Sequence, residues 1–423
     1  VRKHLADPHS PFRTIFRVAS GNFLEMFDFM IFGYYASDIA RTFFPNASAY
    51  NSLMLALMTF GAGFLMRPVG AIVLGIYIDR HGRRKGLLLT LGLMSAGTLL
   101  TACTPGYAAI GIAAPLLILL GRLIQGLSAG VELGGVSVYL SEIATKGREG
   151  FYVGFQSFSQ QVAVITAALL GLILNRMLTP SQIEEWGWRV PLLFGCLIVP
   201  FLFFVRTHLK ETERFLEQKE TPSIRKLVQT MSANWKIVLL GCALATMSTV
   251  SFYMITAYTP TFGARVLHLT AVDALVVTLC VGISNLVLLP FMAHLSDKIG
   301  RTPILITATV LSLVTGYFAL AWLAQDPTFT KLMIVELWFS VLYASYNGAV
   351  IVYLTEIMPQ SVKTAGFSLA YSLATALFGG FTPAVSTFLV HQTGSAASPA
   401  IWLGYAALSG LLATLITRKR RLA

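Results

Sequence analysis

The chain is a succession of apolar runs separated by short polar segments. Runs of about 18 to 25 residues, long enough to cross the hydrocarbon core of a bilayer as helices, recur at 15–40, 50–77, 86–104, 111–141, 150–177, 187–206, 236–262, 270–296, 303–323, 331–356, 363–391 and 398–417. Twelve spans place both termini on one side. If that side is the cytoplasm, the outer connections carry only Arg41, Arg176, Arg189, Arg265 and Lys331 of the 31 Lys and Arg. Arg67 and Arg122 lie within spans and the remaining cations fall inside, which fixes the orientation by the positive-inside rule. The longest connection, 207–235, divides the chain into six-helix halves at 1–206 and 236–423. Its stretch SIRKLVQTMSANW carries Ile224, Leu227, Val228, Met231 and Trp235 at helical spacing beside Arg225 and Lys226, which predicts a helix lying on the inner membrane surface.

Composition agrees with an all-α membrane protein. The 423 residues are 55% hydrophobic and 12% charged, where a soluble domain approaches a quarter charged. A net charge of +12 raises the question of nucleic acid, but the basic residues punctuate apolar runs instead of forming an aromatic-interleaved basic face. The four cysteines, Cys103, Cys196, Cys242 and Cys280, show neither a CxxC pair nor metal-ligand spacing, so no metal or cofactor is expected. The polar opening has no signal-peptide core, and Val1 in place of Met suggests an incomplete start.

The two halves repeat. GIYIDRHGRRK (75–85) matches AHLSDKIGRTP (293–303), and ELGGVSVYLSEI (132–143) matches YNGAVIVYLTEI (346–357). Duplicated six-helix bundles imply a substrate site at their interface, near the bilayer midplane, opened alternately to either side.

The DRxGRR string and its weaker DKxGR copy resemble the signature of the major facilitator superfamily. GNFLEMFDFMIFG (21–33), RPVGAIVLGIYIDRHGRR (67–84), GRLIQGLSAGVELGG (121–135), GWRVPLL (187–193), RTHLKETERF (206–215), FYMITAYTPTF (252–262) and AGFSLAYSLATALFGGFTPAVSTFL (365–389) narrow the resemblance to its metabolite:H+ symporters. The resemblance implies the twelve-helix facilitator fold in a bacterial inner membrane and proton-driven uptake of a small metabolite; such a fold is complete in one chain, so a monomer is the default expectation. The segment 154–171 lacks the GxxxGPxxGG antiporter pattern, which favours uptake over efflux. Carriers of betaine, oxoglutarate, shikimate and citrate share these motifs. A polycarboxylate, citrate first and tricarballylate among the alternatives, suits the two intramembrane arginines; sodium in place of the proton stays open.

The charged positions inside the spans carry the chemistry. Asn22, Glu25 and Asp28 are three apart and form one polar stripe on the first helix. An acid at mid-membrane costs roughly 2.5 kcal/mol or more, so such groups face a wet cavity, pair, or hold a proton. Arg122 keeps its charge and can clamp a substrate carboxylate or neutralise Glu25, Asp28 or Glu132 between turnovers. The resemblance links the RxxQG arginine, here Arg122, to coupling. The expected proton-coupling set is Glu25, Asp28, Glu132 and Arg122, with Asp28 placed first. Arg67 is a second candidate clamp. The repeat sets Glu336 opposite Arg122, so the charge pattern is not duplicated. Tyr253, Asn285, Tyr343, Tyr346, Asn347, Tyr371 and Ser372 offer neutral hydrogen-bonding groups from the second half, and Gln156 and Gln160, four apart, share a face of the fifth helix. Asp79 and Arg83, with Asp297 and Arg301, sit at helix ends where ion pairs can latch one conformation, joined by Glu142 and Glu356.

An enzyme is the first rival class. GLSAG (126–130) fits GxSxG on paper, but Gly126, Gly130 and Gly134 recur every four residues on an apolar helix, a close-packing pattern. Neither a channel filter nor a soluble receptor domain is visible.

Overall fold

The structure, a computed structural model, describes residues 11–46, 48–143, 149–207, 229, 232–358 and 363–422; the side chains of Asp79, Arg83 and Glu142 are outside the description. These residues are helical apart from their connections. The first span is α1 (Pro11–Tyr34), which passes through Tyr35 into α2 (Ala36–Phe43). The second is broken at Met66 into α3 (Ala49–Leu65) and α4 (Arg67–His81), where Pro68 opens the new helix without losing a needed donor. Then follow α5 (Arg83–Cys103), α6 (Ala113–Ile143), α7 (Glu149–Met177) and α8 (Arg189–Thr207). The second half contains α9 (Trp235–Ile255), α10 (Ala271–Ile299), α11 (Arg301–Gln325) and α12 (Phe329–Ile357). Its last spans are α13 (Lys363–Ala374), joined through a wide turn at Thr375–Gly379 to α14 (Thr382–Thr393), and α15 (Pro399–Leu422). Of the surface helix expected near 224–235, residues 224–228, 230 and 231 lie outside the described residues.

Eleven helical stretches among the described residues are long and apolar enough to cross a membrane. The remaining expected span is α1, whose Asn22, Glu25 and Asp28 make it the most polar. From Val18 to Tyr35 almost every α1 side chain is buried, so its polar groups face protein. It packs against α6, α7 and α8, while α3, α4 and α5 pack on α6. In the second half α12 packs on α10 and α11, and α9 on α12, α13 and α15. Across the middle, α7 meets α10, α3 meets α14, and α13 meets α4 and α6.

Two glycines give the sequence repeat a structural counterpart. Gly82 (φ 96°, ψ 157°) separates α4 from α5, and Gly300 (φ 93°, ψ 153°) separates α10 from α11. Side chains do not tolerate that conformation, so the G of DRHGRR and of DKIGR breaks the helix in the same way twice. Close packing has a second glycine requirement. A Cβ on Gly126 would lie 1.6 Å from the Gly63 carbonyl oxygen, and one on Gly130 would lie 2.0 Å from that of Arg67. The glycine run of α6 is therefore the surface on which α3 and α4 ride. Ser128, at the centre of GLSAG, donates to the Thr90 carbonyl at 2.7 Å on an unbroken helix, which is no nucleophile elbow.

Candidate functional site

The stripe on α1 meets two arginines from other helices. Glu25 accepts from Arg67 at the start of α4, and both side chains are buried. One turn further along, Asp28 accepts from Nη1 of Arg122 on α6 at 2.9 Å, with the arginine side chain fully buried. Gln125 ties the second pair together: its Oε1 accepts from Arg122 at 2.7 Å while its Nε2 donates to Asp28 at 2.6 Å and to Thr98 at 3.0 Å. Two intramembrane acids are thereby paired with two intramembrane cations, so that neither sign is buried alone.

Each guanidinium is also encased by aromatic rings. Phe29 stands between them, 5.6 Å from Arg67 and 4.4 Å from Arg122, with Phe64 over Arg67 and Phe32 and Phe60 over Arg122. These contacts favour the cation through the ring quadrupole and exclude water. The Nε and Nη2 of Arg122 have no hydrogen-bond partner, and neither do Nε of Arg67, Oδ1 of Asp28 or Oε2 of Glu25. The Nε–Nη2 edge is the one a guanidinium offers to a carboxylate in a bidentate pair.

Glu132 is held elsewhere. It pairs with Arg206 of α8, its Oε2 also accepts from Thr90 at 2.8 Å, and Arg206 donates to the Leu87 carbonyl at 2.7 Å and to that of Val18 at 3.1 Å. Of the three acids that Arg122 could neutralise, Glu132 is thus held instead in a buried staple of α1, α5, α6 and α8. Arg206 closes an apolar run and reads in sequence as one more basic loop residue. Only the return of α8 alongside α5 carries it into the bundle.

Asn22 braces α1 on α7 by donating to the Gln156 carbonyl at 2.9 Å and to Ser159 at 2.7 Å. Gln156 Nε2 and Asn22 Oδ1 remain unpartnered in the interior. Gln160 is half-buried, whereas its neighbour Gln161 is fully buried with both amide atoms unpartnered. Spacing from Gln156 singled out Gln160, and the structure buries the adjacent residue more deeply.

From the second half, Tyr253 reaches the charges: it packs on Phe60 and Phe64 and has Arg67, Glu25, Tyr371 and Arg122 as its electrostatic neighbours. Tyr371 and Tyr343 adjoin it, with Ser372 buried on α13. Ser248 donates to Asn347 at 2.5 Å within hydrogen-bond reach of Tyr371. Asn285 accepts from Ser340 at 2.8 Å and keeps Nδ2 unpartnered. Tyr346 departs from this wall. Its hydroxyl donates to the Leu244 carbonyl at 2.9 Å beside Gly410, which directs it into the packing of α12 on α9 and α15.

At the Gly300 end, Arg301 bonds Asp297 at 2.5 Å, Ser296 at 2.7 Å and Glu356 at 3.3 Å, joining the ends of α10, α11 and α12. The corresponding Asp79, Arg83 and Glu142 lie outside the described side chains. The opposite end is closed between halves: Arg265 donates to Ser37 at 3.0 Å, Tyr50 stacks on His391 at 3.7 Å, and Phe381 fills the space above Gly61.

The profile of the Major Facilitator Superfamily matches residues 18–383. The chain belongs to that superfamily. Among its relatives, the citrate-proton symporter of Salmonella typhi is 57% identical over 403 residues, covering 95% of this chain and 93% of the relative. The citrate-proton symporter of Klebsiella pneumoniae is 56% identical over 406 residues, covering 96% and 91%. The alpha-ketoglutarate permease of Escherichia coli (strain K12) is 33% identical over 370 residues, covering 86% and 83%. A crystal structure of a D-xylose-proton symporter superposes with a TM-score of 0.78 at 18% identity, covering 96% of this chain and 97% of the other, a likeness of fold. This facilitator therefore has the twelve-helix architecture expected from its apolar runs, and its charged centre lies in helices of that fold.

Proposed function

We propose that this facilitator takes up citrate together with protons by alternating access, as a monomer in a bacterial inner membrane with both termini in the cytoplasm. The observation that carries the reading is the pair of buried ion pairs, Glu25–Arg67 and Asp28–Arg122, in a chain 57% identical to a citrate-proton symporter. A polycarboxylate competes for the arginines. When one carboxylate takes the free edge of Arg122, Asp28 shares its counter-charge with the substrate and becomes the acid on which a proton is most favoured. Arg67 and Glu25 repeat the exchange one turn away. Substrate and proton load together because each relieves the charge imbalance the other creates.

Phe29, Phe60 and Phe64 have to leave the guanidiniums before citrate can reach them. Tyr253, Tyr371, Asn285 and Asn347 then offer hydrogen-bonding groups to the hydroxyl and remaining carboxyl oxygens, with Gln156 and Asn22 on the facing side. The Asp297–Arg301–Glu356 cluster, together with Asp79, Arg83 and Glu142 in the other half, serves as the latch at the cytoplasmic ends. Glu132 has both carboxylate oxygens committed to Arg206 and Thr90, which leaves Asp28 and Glu25 as the coupling acids.

Uptake of labelled citrate into proteoliposomes tests the reading. Accumulation should follow an imposed proton gradient and proceed without sodium. A thermal shift with betaine and none with citrate, or accumulation that needs sodium and ignores pH, would reject it.

A further inference from the structure

One buried acid has no part in that exchange. Glu336 lies about a quarter of the way along α12 and is 3% exposed, and its Oε2 has no hydrogen-bond partner. Thr259 lies beside its carboxyl, with its own hydroxyl donating to the Met254 carbonyl at 3.3 Å. Of the titratable groups on the surrounding elements, Arg265 bonds Ser37 and Lys331 bonds Asp326, Asp273 lies in the first turn of α10, and the Tyr258 hydroxyl beside Thr259 is buried without a hydrogen-bond partner. Tyr253 has the central charges and Tyr371 as its electrostatic neighbours, and Tyr343 has Tyr371 and Tyr253. A carboxylate with no cation in a membrane interior is strongly disfavoured, whereas a carboxylic acid is carried easily.

The surroundings of Glu336 connect it in two directions. Thr259 follows the break at the end of α9, where Thr256 (φ −117°, ψ −77°) leaves the helix and the Tyr258 amide reaches back to the Tyr253 carbonyl at 3.0 Å. That break packs on α1 and α10 at the end closed by Arg265 and Ser37. In the other direction, Glu336, Ser340, Tyr343 and Asn347 are spaced four, three and four apart, so they share one face of α12 over about 16 Å. Ser340 bonds Asn285 at 2.8 Å and Asn347 bonds Ser248 at 2.5 Å, so the stripe ends at the groups assigned above to the substrate wall.

We propose that Glu336 is a further proton-carrying side chain of the transport cycle, which exchanges its proton with the outer solution when the α9 break opens and with the central site along the α12 stripe. The proposal rests on the proton-coupled reading, but one of its tests does not. In wild-type protein without substrate, infrared difference spectroscopy against Glu336→Gln should reveal a protonated-carboxyl stretch that titrates with pH. In proteoliposomes, Glu336→Gln should lower gradient-driven citrate accumulation at least tenfold while citrate exchange at equal pH stays within twofold of wild type. Glu336→Asp, which keeps the acid, should retain accumulation and guards against a folding defect. Accumulation intact in Glu336→Gln, or a difference spectrum without a titrating carboxyl band, overturns the proposal. A wild-type protein that shows the band but does not exchange citrate overturns the substrate reading and leaves Glu336 standing.

Discussion

Glu132 and Arg206 give the sharpest test of how charge is divided between support and coupling. Both side chains are buried, at 3% and 0% exposure, and their pairing joins four helices. Glu132→Leu strands a guanidinium, at a cost of about 3–5 kcal/mol for a broken buried pair. The low end applies, because the carbonyls of Leu87 and Val18 still accept from Arg206, and a hydrogen bond to a charged group is worth about 1.5–3 kcal/mol. Arg206→Met strands the carboxylate beside Thr90 alone, again at about 3 kcal/mol. Glu132→Leu combined with Arg206→Met removes both charges and forfeits the two bonds that Arg206 donates to helix carbonyls, of which that of Leu87 still accepts from Thr90, at about 2 kcal/mol in total. The single costs therefore exceed the double by about 4 kcal/mol, the coupling that a double-mutant cycle measures. Denaturant-titrated unfolding in mixed micelles supplies the stabilities, and citrate exchange at equal pH reports whether the folded fraction still works. If Glu132→Gln unfolds like wild type but loses proton-driven accumulation, Glu132 is a coupling acid and the staple account is wrong.

Asp28→Asn should abolish proton-driven accumulation while retaining equal-pH citrate exchange in proteoliposomes; a mutant that still concentrates citrate excludes Asp28 as the coupling site. Arg122→Gln should remove the thermal shift produced by citrate, whereas Tyr346→Phe should leave that shift intact and cost about 1 kcal/mol of stability for the lost bond to Leu244. Gly126→Ala, whose Cβ would sit 1.6 Å from the Gly63 oxygen, should prevent assembly of folded protein as judged by size-exclusion chromatography, whereas Gly75→Ala, with nothing within 4 Å, should be tolerated. Asp297→Asn should slow citrate exchange severalfold without changing affinity; a large affinity loss at unchanged exchange rate would argue against the latch.

What the sequence determines here is whatever the membrane imposes locally. A span must be apolar over its own length, so the helices are legible one at a time, and a broken span such as α3–α4 still reads as one run. Gly82 and Gly300 are legible because a duplicated turn needs the same backbone conformation twice. The α1 stripe is legible too, since Asn22, Glu25 and Asp28 share a face through helical geometry alone. Partner choice is another matter. Arg67–Glu25, Arg122–Asp28 and Arg206–Glu132 join residues 42, 94 and 74 positions apart, and the cations compete for acids of the same kind. Only helix packing decides among them: the glycine face of α6 sets α3 and α4 against it, and the return of α8 beside α5 brings Arg206 to Glu132. Tyr346 shows the same limit, because a tyrosine on a membrane helix reads alike whether it faces a substrate wall or another helix. Its environment was decided by the position of Gly410 on α15, which leaves room for its hydroxyl, and no spacing along α12 encodes that.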